Sequence, residues 1–145
     1  MKNFWITLIS LLVINIPAMA DDDKPIDVST MPAKAQQFIS KYFPGHKVAV
    51  AKQEGVLLLK SYDVIFINGD KLEFDRSGNW TNVECKYTLV PDGITPAPID
   101  KFIKESYPQA KIKAIEKDDR HYDVELDNKI DLKFNSSFKL IKIDD

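Results

Sequence analysis

The chain has one cysteine, two histidines and five glycines among 145 residues, and each shortage narrows what it can do. A lone thiol, Cys85, closes no internal disulfide, which leaves an intermolecular bridge, a reactive thiol or a buried strand cysteine, and we favour the last. His46 and His121 lack the cysteine pair or the second histidine at helical spacing that a zinc site uses. Five glycines include no phosphate-cradling loop, no dinucleotide fingerprint and no Gly-x-Ser-x-Gly elbow. No metal or cofactor is expected. Positive charge is also in short supply: 20 Lys and Arg against 22 Asp and Glu give a formal net charge of −2. A nucleic-acid partner needs a basic footprint, and none is present.

Long apolar runs are missing too, apart from one at the start. Lys2 precedes an almost wholly apolar stretch from Phe4 to Ile16, and Ala18-Met19-Ala20 places small residues before a cut after Ala20. That pattern reads as a cleavable signal peptide over residues 1–20, since the apolar run falls short of the ~20 residues that span a bilayer. No cysteine follows the small residues, so a lipoprotein is not expected, and no integral membrane segment is expected in the mature chain. The expected address is the periplasm. Residues 21–28 read as a flexible N-terminus and 29–145 as one domain, large enough for a real core.

What the chain does have is a phrase written twice. Phe38-Ile-Ser-Lys-Tyr-Phe-Pro-Gly-His-Lys-Val48 and Phe102-Ile-Lys-Glu-Ser-Tyr-Pro-Gln-Ala-Lys-Ile112 share their order of aromatic, proline and lysine. Tyr62-Asp63-Val64 then matches Tyr122-Asp123-Val124, and Leu72-x-Phe74 matches Leu132-x-Phe134. Such repetition predicts two units, 29–86 and 94–145. Each opens with a helix. Met31, Ala35, Phe38, Ile39 and Tyr42 form one stripe at helical period, with Ser29 or Thr30 as cap, Pro32 at the first position and Pro44 as the stop. Thr95, Pro96 and Pro108 play the same parts in the second unit, around Ile99, Phe102 and Ile103.

After each helix the pattern alternates with period two. A two-residue loop at Asn68-Gly69 would set Val64 opposite Glu73. A three-residue loop with Gly69 left-handed sets Val64 opposite Leu72 and Tyr62 opposite Phe74. One residue of slip moves every side chain to the other face, so core formation selects the second register. The same loop length at 127–129 pairs Val124 with Leu132. Further strands are expected at 48–52, 80–86, 111–117 and 139–143. The expected fold class is α+β: a tandem repeat of one helix and about four antiparallel strands, making one eight-stranded sheet with both helices on one face.

That register predicts the other face. Asp63 falls opposite Glu73, Glu125 opposite Asp131 and Asp123 opposite Lys133, with Asp75 further along. Facing acids cost stability unless water, a counter-ion or a partner relieves them. Asp63, Glu73, Asp75, Asp123, Glu125, Asp131 and Lys133 are therefore the candidate partner-binding face. Trp80 joins that face or the core according to loop length, which the sequence leaves open. Paired carboxylates also serve glycoside hydrolysis, but a chain this small offers no evident cleft around them, and no dedicated calcium loop is visible. An enzyme is not expected.

Met31-Pro-x-x-Ala-x-x-Phe-Ile-x-x-Tyr-Phe-Pro44, Tyr62-Asp-Val64, Leu72-Glu-Phe-Asp75 and Gly78-Asn-Trp80, with the second copy from Thr95 to Val124, resemble the PepSY-like family of bacterial envelope proteins. That family is similar in fold to the β-lactamase inhibitor protein. The resemblance implies a periplasmic, non-catalytic protein-binding module, an inhibitor or chaperone-like partner of an unknown envelope protein. The alternative is a small-ligand or cation sensor using the same carboxylates. The inhibitor protein carries disulfides and Cys85 has no mate, so no inhibitory residue is carried over.

Overall fold

A computed structural model describes residues 23–145. The expected signal peptide, residues 1–20, lies outside the described residues. Nine antiparallel strands form one sheet in chain order: β1 (Lys24–Pro25), β2 (Val48–Glu54), β3 (Ser61–Phe66), β4 (Lys71–Asp75), β5 (Trp80–Glu84), β6 (Ile112–Lys117), β7 (His121–Leu126), β8 (Asp131–Asn135) and β9 (Leu140–Asp144). Helix α1 (Ala33–Tyr42) lies between β1 and β2, and α2 (Ala97–Ser106) between β5 and β6.

The expected eight-stranded sheet of two helix-plus-four-strand units is thereby corrected. Lys24 and Pro25, in the stretch expected to be a flexible tail, pair with Gln53 and Lys52, and the Ile26 N–H donates to the Ala51 carbonyl. A ninth strand thus precedes the first helix and covers the outer edge of β2. Two residues, one of them proline, carry no readable alternation, and Pro is tolerated at a sheet edge.

The hairpin registers follow the hydrophobic alternation. Tyr62 pairs with Phe74 and Val64 with Leu72; Tyr122 pairs with Phe134 and Val124 with Leu132. Cross-strand partners share a face, so the pairings trace one apolar row across the sheet: Ala51, Val64, Leu72, Val83, Ile115, Val124, Leu132 and Ile143. All but the last, on the outermost strand, are buried. Burying each large aliphatic side chain contributes about 1.5–3 kcal/mol, so this row is a substantial part of what stabilises the domain.

The helices rest on the same side. Phe38 of α1 meets Phe74 edge-on, centroids 5.5 Å apart, and Phe102 of α2 meets Phe134 in the same way at 5.6 Å. Neither helix has a side-chain cap. Pro32 and Pro96, in extended conformation, hold the N-cap positions where Ser29 or Thr30 and Thr95 were expected. Ser29 instead belongs to a short 3-10 turn (Val28–Thr30), and its N–H donates to the Asp27 carboxylate, which caps that turn. Pro44 and Pro108 stand just beyond the helix ends, because the residue before a proline is driven out of the α region.

Four hairpins close through three-residue loops whose last residue is left-handed: Gly69, Gly78, Lys129 and Phe138. This is the type I turn plus bulge arrangement. The stretch between β5 and α2 is fastened to the β3–β4 hairpin by the wholly buried Asp70, whose Oδ2 accepts from Thr88 Oγ1 at 2.6 Å and Asn68 Nδ2 at 3.0 Å. Cys85, just after β5, is buried, and burial pushes its thiol up to about 11.

Candidate functional site: the polar rows of the sheet

Beside the apolar row run two polar rows, set by the same pairings. One is Lys52, Asp63, Glu73, Asn82, Glu116, Asp123, Lys133 and Lys142. The next is Ile65, Lys71, Glu84, Ala114, Glu125, Asp131 and Asp144. Alternation along each strand puts both on the face opposite the helices. Asp63 faces Glu73, Glu125 faces Asp131 and Asp123 faces Lys133, as the registers require.

The two ends of this face differ in charge balance. Around β1–β4 the acids are matched by lysines. Lys52 Nζ lies 3.3 Å from Asp23, 2.9 Å from Glu54 and 3.9 Å from Asp63; Lys71 Nζ lies 2.9 Å from Glu73 and 3.6 Å from Asp63. Asp63 is the buried member, only 4 % exposed. Burial pushes its carboxyl up to about 6; Lys71 pulls the other way, while Glu54 and Glu73 add to the rise. Glu54 is held below its usual range by the hydrogen bond from Lys52.

Around β5–β9 the balance tips. A groove of about 380 Å³ is lined by Glu84, Glu116, Asp123, Glu125, Asp131 and Asp144, with Lys133 and Lys142 among them. Lys133 lies 3.8 Å from Asp123, and Lys142 lies 3.0 Å from Asp144. Partial desolvation, then the negative charges of Asp123 and Glu73, raises the carboxyl of Glu116. Six carboxylates against two ammonium groups make a cation-attracting surface, suited to lysine and arginine side chains or to a free cation. Among the described residues, no group of three His, Cys, Asp or Glu is arranged to hold a metal ion.

Two sequence candidates lie elsewhere. Trp80 pairs with Phe74 across a bulge, approaches Phe38 of α1 at 6.4 Å, and so belongs to the helix side. The Lys117 ammonium sits over its ring at 4.1 Å. Asp75 serves its hairpin turn, accepting from the Ser77 and Asn79 N–H groups and from Asn79 Nδ2. Conversely, Glu84, Glu116 and Asp144 were not singled out from sequence. A signal was present: Val83, Ile115 and Ile143 are apolar, and the residues beside them in a strand face the other way.

With the fold and groove in view, comparison with known proteins defines the class. A family model described as "Putative beta-lactamase-inhibitor-like, PepSY-like" matches residues 60–142, and the chain belongs to this family. A solved structure described as a putative periplasmic protein of the DUF2874 family from Bacteroides vulgatus is 52% identical. The match covers 87% of this chain and 99% of that one, with a TM-score of 0.84. A second, described as a putative calcium-regulated periplasmic protein from Bacteroides thetaiotaomicron, is 54% identical over 86% and 98% of the two chains, with a TM-score of 0.83. A third, a putative periplasmic protein of unknown function from Bacteroides vulgatus, is 34% identical over 85% and 99%, with a TM-score of 0.78. No curated protein matches the chain. Among the described residues, no helix is long and apolar enough to cross a membrane.

Proposed function

We propose that this is an exported, periplasmic, non-catalytic binding module that docks a basic segment of another envelope protein in the acidic groove of β5–β9. Residues 1–20 act as the cleaved signal peptide, and the domain functions as an inhibitor or chaperone-like partner. The observation that carries the reading is the groove itself: six carboxylates gathered on a sheet face whose other side holds the core. The periplasmic descriptions of the relatives and the inhibitor-like description of the family support it. Glu125, Asp131 and Asp123 are the central contacts, Glu84 and Glu116 extend them, Lys133 lies among them, and Glu73 lies at the border.

Charge complementarity of this kind acts mainly on association rate and salt dependence. The double variant Glu125→Lys/Asp131→Lys is expected to weaken a captured complex at least about tenfold and to flatten its salt dependence, with an unchanged melting profile. Full affinity in that variant would refute the reading.

One observation favours a second reading, in which a divalent cation occupies the groove and regulates docking: the description of the Bacteroides thetaiotaomicron relative as calcium-regulated. A ligand that binds only the folded state raises its stability in proportion to the logarithm of concentration. A melting shift at micromolar calcium, abolished by the same double variant, would establish this reading, and no shift up to millimolar calcium would remove it.

A further inference from the structure

The sheet has two edges, and they are finished differently. At one, the two-residue strand β1, with Pro25, lies against β2. At the other, β9 is the last strand, and among the described residues no strand lies outside it. The direction of its backbone groups follows from the bonding of its neighbour. The Leu126 N–H donates to the Ile130 carbonyl at 2.9 Å, which makes this a bonded pair at the start of the β7–β8 ladder. Bonded and non-bonded pairs alternate in an antiparallel ladder, so Leu132, paired with Val124, turns its N–H and C=O towards β7. Ile143 stands opposite Leu132 and is therefore at a non-bonded position of the β8–β9 ladder. Its N–H and C=O both point out from the sheet edge. Its side chain is the one exposed member of the apolar row, at 50 %.

We propose that two copies of the protein pair through this edge, β9 against β9, about a two-fold axis that passes beside Ile143 and stands perpendicular to the sheet. The self-complementarity of Lys142-Ile143-Asp144 selects a second copy as the occupant. In antiparallel pairing centred on Ile143, Lys142 of each copy lies opposite Asp144 of the other, and Ile143 meets Ile143. The outward N–H and C=O of Ile143 let the two copies exchange both hydrogen bonds at that point. Other centres fail. A two-fold at Lys142 sets two ammonium groups face to face, and one at Asp144 sets two carboxylates face to face. At Ile141 the ladder is broken by a bulge, which skips this residue between Leu140 and Lys142. Within one copy Lys142 and Asp144 already hold each other at 3.0 Å, so in the pair each gains a second partner of opposite sign. The perpendicular axis keeps both helix layers on one side and both sets of polar rows on the other. Lys142 and Asp144 also line the acidic groove, so the two grooves meet edge to edge in one surface. The bulge limits regular pairing to a few residues, which makes the association weak and reversible.

The pairing does not depend on what the groove binds, so sedimentation of the mature protein alone tests it. Wild type is expected to pass from monomer towards dimer as its concentration rises to about 1 mM. Lys142→Asp and Asp144→Lys, each alone, put like charges across the axis twice and are expected to weaken association at least about tenfold. An equimolar mixture of these two variants is expected to form a heterodimer, because each offers the charge that the other lacks. Ile143→Pro removes the outward N–H without removing a bond to β8, a position where a sheet tolerates proline, and is expected to be a folded monomer. A wild type that stays monomeric throughout, a dimer that all three substitutions leave intact, or charge variants that do not recover on mixing would overturn the proposal. An edge that pairs only when another protein is added would overturn it in favour of a foreign strand.

Discussion

Replacing Asp63 by Asn gives a defined pH signature. Asp63 lies under the polar face with its carboxyl moved from 3.8 to about 6, chiefly by burial. A carboxyl raised on folding binds its proton more tightly in the native state, so the contribution of Asp63 to stability is fully present below about pH 3.8 and is lost as pH rises through 6. A shift of about two units corresponds to about 3 kcal/mol, an order-of-magnitude figure that already contains the attraction of Lys71. Asn resembles the protonated acid in shape and neutrality, and Lys52 and Lys71 keep Glu54 and Glu73 as partners. Urea unfolding at pH 4, 5, 6 and 7 is expected to show wild type losing up to about 3 kcal/mol relative to Asp63→Asn across this window. The two are expected to be nearly equal at pH 4, with the variant the more stable at pH 7. The reverse difference, with wild type gaining on the variant as pH rises, would mean that the lysines hold Asp63 ionised, and the argument from burial would be wrong.

Other outcomes follow from single residues. Lys129 closes its hairpin at φ 69, so Lys129→Gly is expected to stabilise the protein by about 1 kcal/mol in thermal melting. Phe134, wholly buried and capped by Phe102, is expected to cost about 3–5 kcal/mol when replaced by Ala, read from the urea midpoint. Cys85 is expected to resist a thiol reagent at pH 8 until urea unfolds the chain; fast labelling of native protein would contradict its burial.

Much of the sheet was legible because alternation and loop length constrain each other. Val64 and Leu72 both have to face inward, which admits only the three-residue loop, and the positions of Asp63, Glu73, Asp123, Glu125 and Asp131 follow from that register. The strand count was not legible, since Lys24–Pro25 is held by backbone pairing to β2 and leaves no side-chain pattern. Helix caps were misplaced because a proline in extended conformation can hold the N-cap position without a side-chain bond. Trp80 was undecided until the loop at 76–78 and the bulge after it were known. The groove became visible only when β5 and β6 were paired, which brings Glu84 and Glu116 beside the acids of β7 and β8. The turn at Leu57–Leu59 has no periodicity, so it offered no signal of secondary structure.

Hydrogen exchange on the protein bound to a captured envelope partner tests the docking claim most directly. The account predicts that added protection concentrates in β6, β7, β8 and β9, around Glu116, Asp123, Glu125 and Asp131, and disappears in the Glu125→Lys/Asp131→Lys variant. Protection confined to α1 and α2, unchanged by that variant, would place the partner on the opposite side of the molecule and contradict it.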